Sequence, residues 1–345
     1  MKILVTGGSG FLGKALVFRL LDDGHEVVSF CRGRYEDLER SAAHTVRGDL
    51  ADPAAVRAAL RGCDAVFHTA AKVGAEVRAE AFERTNVTGT KNLLEACVAE
   101  GVTRLVYTST PSVVHAGGDI EGADESLPYP DVFHAHYPRT KAIAEQAVLA
   151  ANGPTLATVA LRPHLIWGPG DTNLVPRILA RAKTGRLRLV GATPKLVDTT
   201  YIDNAVEAHL CALHRLQIQS DCAGKAYFIA NGEPVLQSAI INGILDAGGL
   251  PPIDRRISAR AAHIVGAVLE GVYTLFRIPG EPAMTRFLAE QLSTAHWYDL
   301  SAAARDLGYH PTISMDEGLR RLALSLRPDA PGRGAAPDSP DTESP

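Results

Sequence analysis

The stretch Lys2-Ile3-Leu4-Val5-Thr6-Gly7-Gly8-Ser9-Gly10-Phe11-Leu12-Gly13 decides the fold. Its first residues form a short apolar run of strand type, and residues 11–21 carry the apolar spacing of a helix. Between them the glycines at 7, 10 and 13 follow a GxxGxxG pattern. A chain needs glycine where it turns tightly out of a strand, where its backbone approaches a phosphate, and where helix meets strand. The free N–H groups at the helix start then face the phosphate charge. Gly7, Gly10, Phe11, Leu12 and Gly13 are therefore expected to hold the pyrophosphate of a dinucleotide.

Outward from this loop, residues 26–31, 45–48, 64–69, 104–108 and 156–161 are further short apolar runs of buried-strand type. Helical segments at 53–60, 86–99 and 137–151 alternate with them, the first opened by the N-cap pair Asp52-Pro53. Strand and helix in turn predict an α/β fold, a Rossmann-type doubly wound parallel sheet. Residues 1–165 form its nucleotide-binding domain, and segments near 200–230 return to it. Residues 166–327 are expected to build mainly a smaller C-terminal substrate lobe over the carboxyl ends of the strands, where open sheets bind ligands. The last stretch, 328–345, has five prolines and no Leu, Ile, Val or Phe, which predicts a disordered tail.

Composition sets outer bounds. The 345 residues carry 35 Lys+Arg against 39 Asp+Glu, a net charge of −4, which argues against a broad nucleic-acid surface. The five cysteines, 31, 63, 97, 211 and 222, contain no CxxC pair, so neither a disulfide scaffold nor a zinc site is expected. No signal peptide is visible, and a cytoplasmic location is expected. The stretch 257–277 stands apart. Apolar residues at 264, 265, 268, 269, 272, 273 and 276 form one helical stripe, opposite Arg260, His263, Glu270, Thr274 and Arg277. Two readings are open: a helix buried against the lobe or a partner subunit, or one on a membrane surface or lining an apolar substrate channel.

The end of the second strand bears on the cofactor. An acid there would hold a ribose hydroxyl and repel a 2′-phosphate, but Arg32 and Arg34 occur instead and no acid appears until Glu36. NADP(H) is favoured over NAD(H), both arginines serving the phosphate. Asp49, beside Leu50, reads equally as a contact to the adenine amino group or as a turn aspartate. After His68, which reads as a packed core histidine, Thr69, Ala70 and Ala71 are small enough to let a cofactor lie close.

Tyr137 and Lys141 stand four residues apart, on one helix face. A free tyrosine has a pKa of about 10, and a neighbouring ammonium is expected to lower it. The phenol can then exchange a proton with a carbinol or ketone oxygen while nicotinamide exchanges hydride. Ser109, Thr110 and Ser112 offer hydroxyls for the same oxygen at the end of the fifth strand. His134 and His136 lack a carboxylate partner, so no metal is expected. The acidic run 119–125 lacks calcium-loop spacing and reads as a solvated loop.

In order along the chain, the glycine loop, Asp49-Leu50, Asn86-Val87-Thr88-Gly89-Thr90, the strand-end hydroxyls, Tyr137/Lys141, Arg162-Pro163 and Trp167-Gly168-Pro169-Gly170 resemble an extended short-chain dehydrogenase/reductase. The resemblance covers about residues 1–325. It implies Tyr137 as acid/base, Lys141 as its modifier and ribose ligand, Thr110 in place of the usual serine, and Asn86 in support of the lysine. Pro163 joins the cofactor contacts. Val113-Val114-His115 departs from the sugar-nucleotide epimerase pattern. Leu161-Arg162-Pro163, Trp167 to Asp171 and Tyr201-Ile202-Asp203-Asn204 are instead similar to the 3β-hydroxysteroid and sterol-4-carboxylate dehydrogenase group. Within it the chain looks most like the bacterial 2-alkyl-3-oxoalkanoate reductases of olefin biosynthesis. That resemblance implies NADPH-dependent reduction of a lipid-like two-chain keto acid, with His164-Leu165-Ile166-Trp167 near the chains, and a homodimer. A sterol-type dehydrogenase is the second reading. A non-catalytic NADP-binding sensor or assembly subunit would be expected to lack Tyr137 or Lys141.

Overall fold

The computed structural model describes residues 1–327 apart from Ala75, Val77 and Pro279. The expected tail, 328–345, lies outside the described residues. Seven parallel strands make the central sheet: β1 (Lys2–Thr6), β2 (Glu26–Cys31), β3 (His44–Arg47), β4 (Ala65–His68), β5 (Arg104–Thr108), β6 (Ala157–Pro163) and β7 (Ala226–Ile229). Their spatial order is β7-β6-β5-β4-β1-β2-β3. The order reverses at β1, between β2 and β4, which opens a crevice at the carboxyl ends of those strands.

Alternation along each strand supplies both faces of the sheet. Ile3 and Val5 join Leu16, Val17 and Leu20 of α1 (Phe11–Asp22) on one side. Leu4, Val66, Leu105 and Tyr107 pack on the other against Leu93 and Cys97 of α2 (Gly89–Glu100). The turn into α2 is a π-helical segment, Glu83–Thr88, so the expected helix at 86–99 begins with a wider turn that carries Asn86. Beyond β5 the chain enters α3 (His136–Ala150), and α4 (Ile202–Arg215) packs beside α1, with Arg19 of α1 3.4 Å from Glu207.

Over the carboxyl ends sits a sheet of four short strands, ordered Val235–Leu236, Leu196–Val197, His296–Tyr298, Ile120–Ala123. Residues Ile120–Ala123 of the acidic run 119–125 thus form an edge strand, and two of the flanking acids are engaged rather than freely solvated. Asp119 pairs with Lys195 and accepts the N–H of Ala295 at 2.8 Å, and Glu125 accepts the N–H of Phe228 at 2.8 Å. Helix α5 (Ala259–Leu275) is capped by Ser258. Its buried residues are small, Ala262 and Gly266, whereas Ile264, Val268, Leu275 and Phe276 are exposed. The reading that buries this stripe against the lobe is therefore corrected: the helix packs by its small residues. No helix among the described residues is long and apolar enough to cross a membrane.

Candidate active site

At the switch point, Gly7 leaves β1 with φ +70°, and a Cβ there would stand 2.8 Å from the backbone of Ala70. A Cβ on Gly13 would fall 2.2 Å from the Gly7 carbonyl. Thr69 closes the floor by donating to the Thr6 carbonyl at 2.7 Å. His68 bridges Thr6 (2.7 Å) and Thr90 (2.9 Å), and burial lowers its pKa to about 3, so it is a neutral core histidine. No side chain caps the start of α1, which leaves its first N–H groups for an anion. Phe11 and Leu12 bring backbone rather than side chain to this cradle, since both pack into the core. A dinucleotide pyrophosphate fits it.

Toward the adenine end, Arg32 is exposed, and Arg34 lies 3.8 Å from Glu39. Asp49 accepts the N–H of Ala51 at 2.9 Å and pairs with Arg84 at 3.0 Å. These bonds, the backbone one first, hold its pKa down. The turn reading of Asp49 is realised. Leu50 is buried against Gly89, where a Cβ would stand 2.7 Å away. Ala71 and Ala70 are half-buried beside the loop, and Pro163 is buried at the end of β6.

The expected catalytic residues meet on the other side of the crevice. The phenol of Tyr137, at the start of α3, stands near the Thr110 side chain, which acts to lower its pKa against burial. The Thr110 hydroxyl donates to Ser112 Oγ at 3.3 Å and accepts the N–H of Ser112 at 3.3 Å. Ser109 is buried with its hydroxyl unpartnered, and its backbone N–H goes to the Leu161 carbonyl at 2.6 Å. Of the three hydroxyls, Thr110 is the one whose side chain acts on the tyrosine. Lys141 donates to the Thr108 carbonyl at 2.6 Å, and its Nζ lies 4.0 Å from the centre of the Tyr107 ring. Asn86 accepts the N–H of Lys72 at 2.7 Å and donates to Thr140 at 3.0 Å. It therefore fixes the residue before Lys141 rather than the ammonium itself.

The electrostatics correct one expectation. Burial raises the Tyr137 pKa to about 12, with the neighbouring Thr110 side chain opposing it. Lys141 does not lower it here, because its ammonium is turned to Thr108 and Tyr107. Burial also brings Lys141 down to about 7, against the attraction of Glu145. A phenol with a raised pKa keeps its proton at neutral pH, as a donor to a carbonyl oxygen must.

Two features of the Lys141 surroundings are not legible in the sequence. Tyr107, on β5, underlies the lysine. Glu145 stands four residues beyond Lys141, and that i, i+4, i+8 series was a usable signal for a third polar residue on the face. It forms a buried ion pair with Arg162 at 2.6 Å and accepts the Tyr129 hydroxyl at 2.6 Å. Leu165, one of the residues expected near the chains, is exposed, in the left-handed region at φ +44° that leucine rarely adopts. Its neighbours correct an expectation. Trp167 is fully buried, donating to Thr199 at 2.9 Å, and His164 is buried against the Asp198 carbonyl at 2.5 Å. Only Leu165 and Ile166 of this stretch are left to face a ligand.

The profile of the 3-beta hydroxysteroid dehydrogenase/isomerase family matches residues 4–253. The chain belongs to that family. Its fold is that of an NAD(P)-dependent oxidoreductase. The chain is 55% identical over 328 residues to a 2-alkyl-3-oxoalkanoate reductase of Stenotrophomonas maltophilia, covering 94% of this chain and 99% of the relative. It is 37% identical to a 3 beta-hydroxysteroid dehydrogenase/Delta 5-->4-isomerase of Mycobacterium tuberculosis, covering 92% and 88%. Among solved structures, a UDP-glucose 4-epimerase of Thermus thermophilus in complex with NAD superposes with a TM-score of 0.72 at 26% identity, covering 95% of this chain and all of that one.

Proposed function

We propose that this family member is an NADPH-dependent reductase of long-chain 2-alkyl-3-oxoalkanoates, giving the 2-alkyl-3-hydroxyalkanoate in olefin biosynthesis. The observation that carries the reading is 55% identity, across nearly the whole of both chains, to a relative named for that substrate. The meeting of Tyr137 with Thr110 beside Lys141 supports it chemically. A sensor or assembly subunit would have no need of that meeting.

Reducing a ketone takes hydride to the carbonyl carbon and a proton to its oxygen. The hydride comes from the reduced nicotinamide when it is bound. Thr110 and Tyr137 offer two hydrogen bonds to the carbonyl oxygen, and Tyr137 gives its hydroxyl proton as the carbinol forms. The phenolate left on Tyr137 takes its proton back from solvent. The glycine loop and the N-terminus of α1 would hold the pyrophosphate, Lys141 the ribose, and Arg32 with Arg34 a 2′-phosphate.

The test is direct. Purified protein given NADPH and a long-chain 2-alkyl-3-keto acid should consume NADPH and release the 3-hydroxy acid, identified by mass spectrometry. A 3β-hydroxysteroid should react much more slowly. No NADPH consumption with the keto acid, or a preference for the steroid, rejects the reading.

A further inference from the structure

We propose that α5 docks this protein on a lipid bilayer surface bearing anionic headgroups, a contact independent of the substrate assigned above. The helix is built the reverse of an ordinary core helix. Its inner face is so small that a Cβ on Gly266 would stand 2.5 Å from the Thr285 carbonyl carbon. Large apolar residues point outward instead: Val268 is 59% exposed, Leu275 76% and Phe276 69%, with Ile264, Val265 and Val272 beside them. Isolated exposed apolar residues need no explanation, but a continuous face of them along four turns does.

Charge selects the occupant. The one acid of the helix, Glu270, is turned inward, where it accepts both the N–H and the Nε of Arg286 at 2.7 Å. At the N-terminal end, strand residues Arg256 and Ile257 pair with Leu189 and Val190, bringing two basic segments together. Those segments present Lys183, Arg186, Arg188, Arg255 and Arg260 to solvent, with Asp254 the only acid in 181–190 and 251–260. This concentration stands out on a chain whose net charge is −4. An apolar helix face rimmed by arginine suits an interface helix, its side chains among acyl chains and its cations at phosphate level. A neutral apolar partner would leave that rim without a counterpart.

Flotation of the full chain with vesicles tests the proposal, comparing phosphatidylcholine alone with phosphatidylcholine plus phosphatidylglycerol. The protein should float with the anionic vesicles, and added salt should weaken binding. Replacing both Val268→Glu and Leu275→Glu, at exposed sites, should abolish flotation without changing the melting temperature. Arg255→Gln with Arg260→Gln should weaken binding about fivefold for each arginine. Absence of flotation, or flotation unchanged in the glutamate variant, overturns the proposal. So does light scattering that shows the wild type as a dimer and the glutamate variant as a monomer, which assigns the face to a second copy.

Discussion

The ammonium of Lys141 lies 4.0 Å from the centre of the Tyr107 ring, while its hydrogen bond runs 2.6 Å to the Thr108 carbonyl. One strand, β5, thus supplies both an acceptor and a π-face to a lysine with almost no access to water. An ammonium buried this way is held charged only by such contacts. The other groups facing it are His68, which is neutral, and Glu145, whose attraction raises the lysine pKa.

Removing the ring should therefore shift the pH profile. Lys141 titrates at about 7, so its charge is present below that pH and lost as pH rises through it. In Tyr107→Leu the cation–π contact of roughly 2 kcal/mol for a desolvated site disappears. The alkaline limb of kcat/KM should move about 1.5 pH units toward acid. Tyr107→Phe keeps the ring and removes a buried hydroxyl without a partner, so its profile should match wild type. Equal profiles for the leucine and phenylalanine variants would deny Tyr107 this positioning role.

Tyr137→Phe should lower kcat by about 10²–10⁴-fold, as loss of a general acid does. NADPH binding, followed by cofactor fluorescence, should stay near wild type. Thr110→Ala should be strongly impaired and Thr110→Ser should recover most of the rate, because the hydroxyl matters and the methyl does not. Ser112→Ala should cost little, since Thr110 rather than Ser112 acts on the Tyr137 phenol. A Ser112→Ala defect larger than that of Thr110→Ala would move the role to Ser112.

The sheet and the catalytic pair were legible because they rest on local signals. β1, the glycine turn and α1 are continuous in sequence, and Tyr137 and Lys141 share a face by helix period alone. Side-chain engagement was not legible, because it depends on residues distant in the chain. Lys141 finds Tyr107 and Thr108 from 33 and more residues away, which removes the effect on Tyr137 that spacing suggested. The outward face of α5 was undecidable for a similar reason. Amphipathic spacing says that a helix has two faces, not which one the rest of the chain will cover.

Glu145 and Arg162 form a pair whose loss should be felt in stability. Both side chains are buried, with contacts of 2.6, 3.1 and 3.2 Å between the guanidinium and the carboxylate. Removing either charge strands the other, at a cost of about 3–5 kcal/mol. Arg162→Met should lower the unfolding free energy by that amount in denaturant titration, whether or not cofactor is present. Retained stability would mean that water reaches the stranded Glu145.

Cofactor choice should follow Arg32. Arg34 already leans on Glu39 at 3.8 Å, whereas Arg32 is exposed at the end of β2. A charge-assisted bond is worth about 1.5–3 kcal/mol, so Arg32→Ser should raise KM for NADPH roughly tenfold or more. KM for NADH should hardly change, and Arg34→Ser should have the smaller effect. Comparable KM increases for both cofactors would place Arg32 away from the 2′-phosphate.

The three glycines of the loop should not respond alike. A Cβ on Gly10 meets only the Gly7 carbonyl, at 3.3 Å, a distance a small shift can relieve. On Gly13 it would stand 2.2 Å from that oxygen and 2.8 Å from Thr69 Oγ1, so backbone must move. At Gly7 the strain is double, a φ of +70° and a contact of 2.8 Å with Ala70. Gly10→Ala should therefore fold with nearly wild-type stability and bind NADPH more weakly, since it opens the helix start that faces phosphate. Gly7→Ala and Gly13→Ala should each lose about 1–3 kcal/mol of stability as well as cofactor binding. Thermal melts with and without NADPH separate the outcomes: Gly10→Ala should lose only the cofactor-induced rise in Tm, the other two both the rise and the baseline. A Gly13→Ala protein with unchanged baseline Tm would mean that α1 can slide along β1, against the packing that ties loop, helix and strand together.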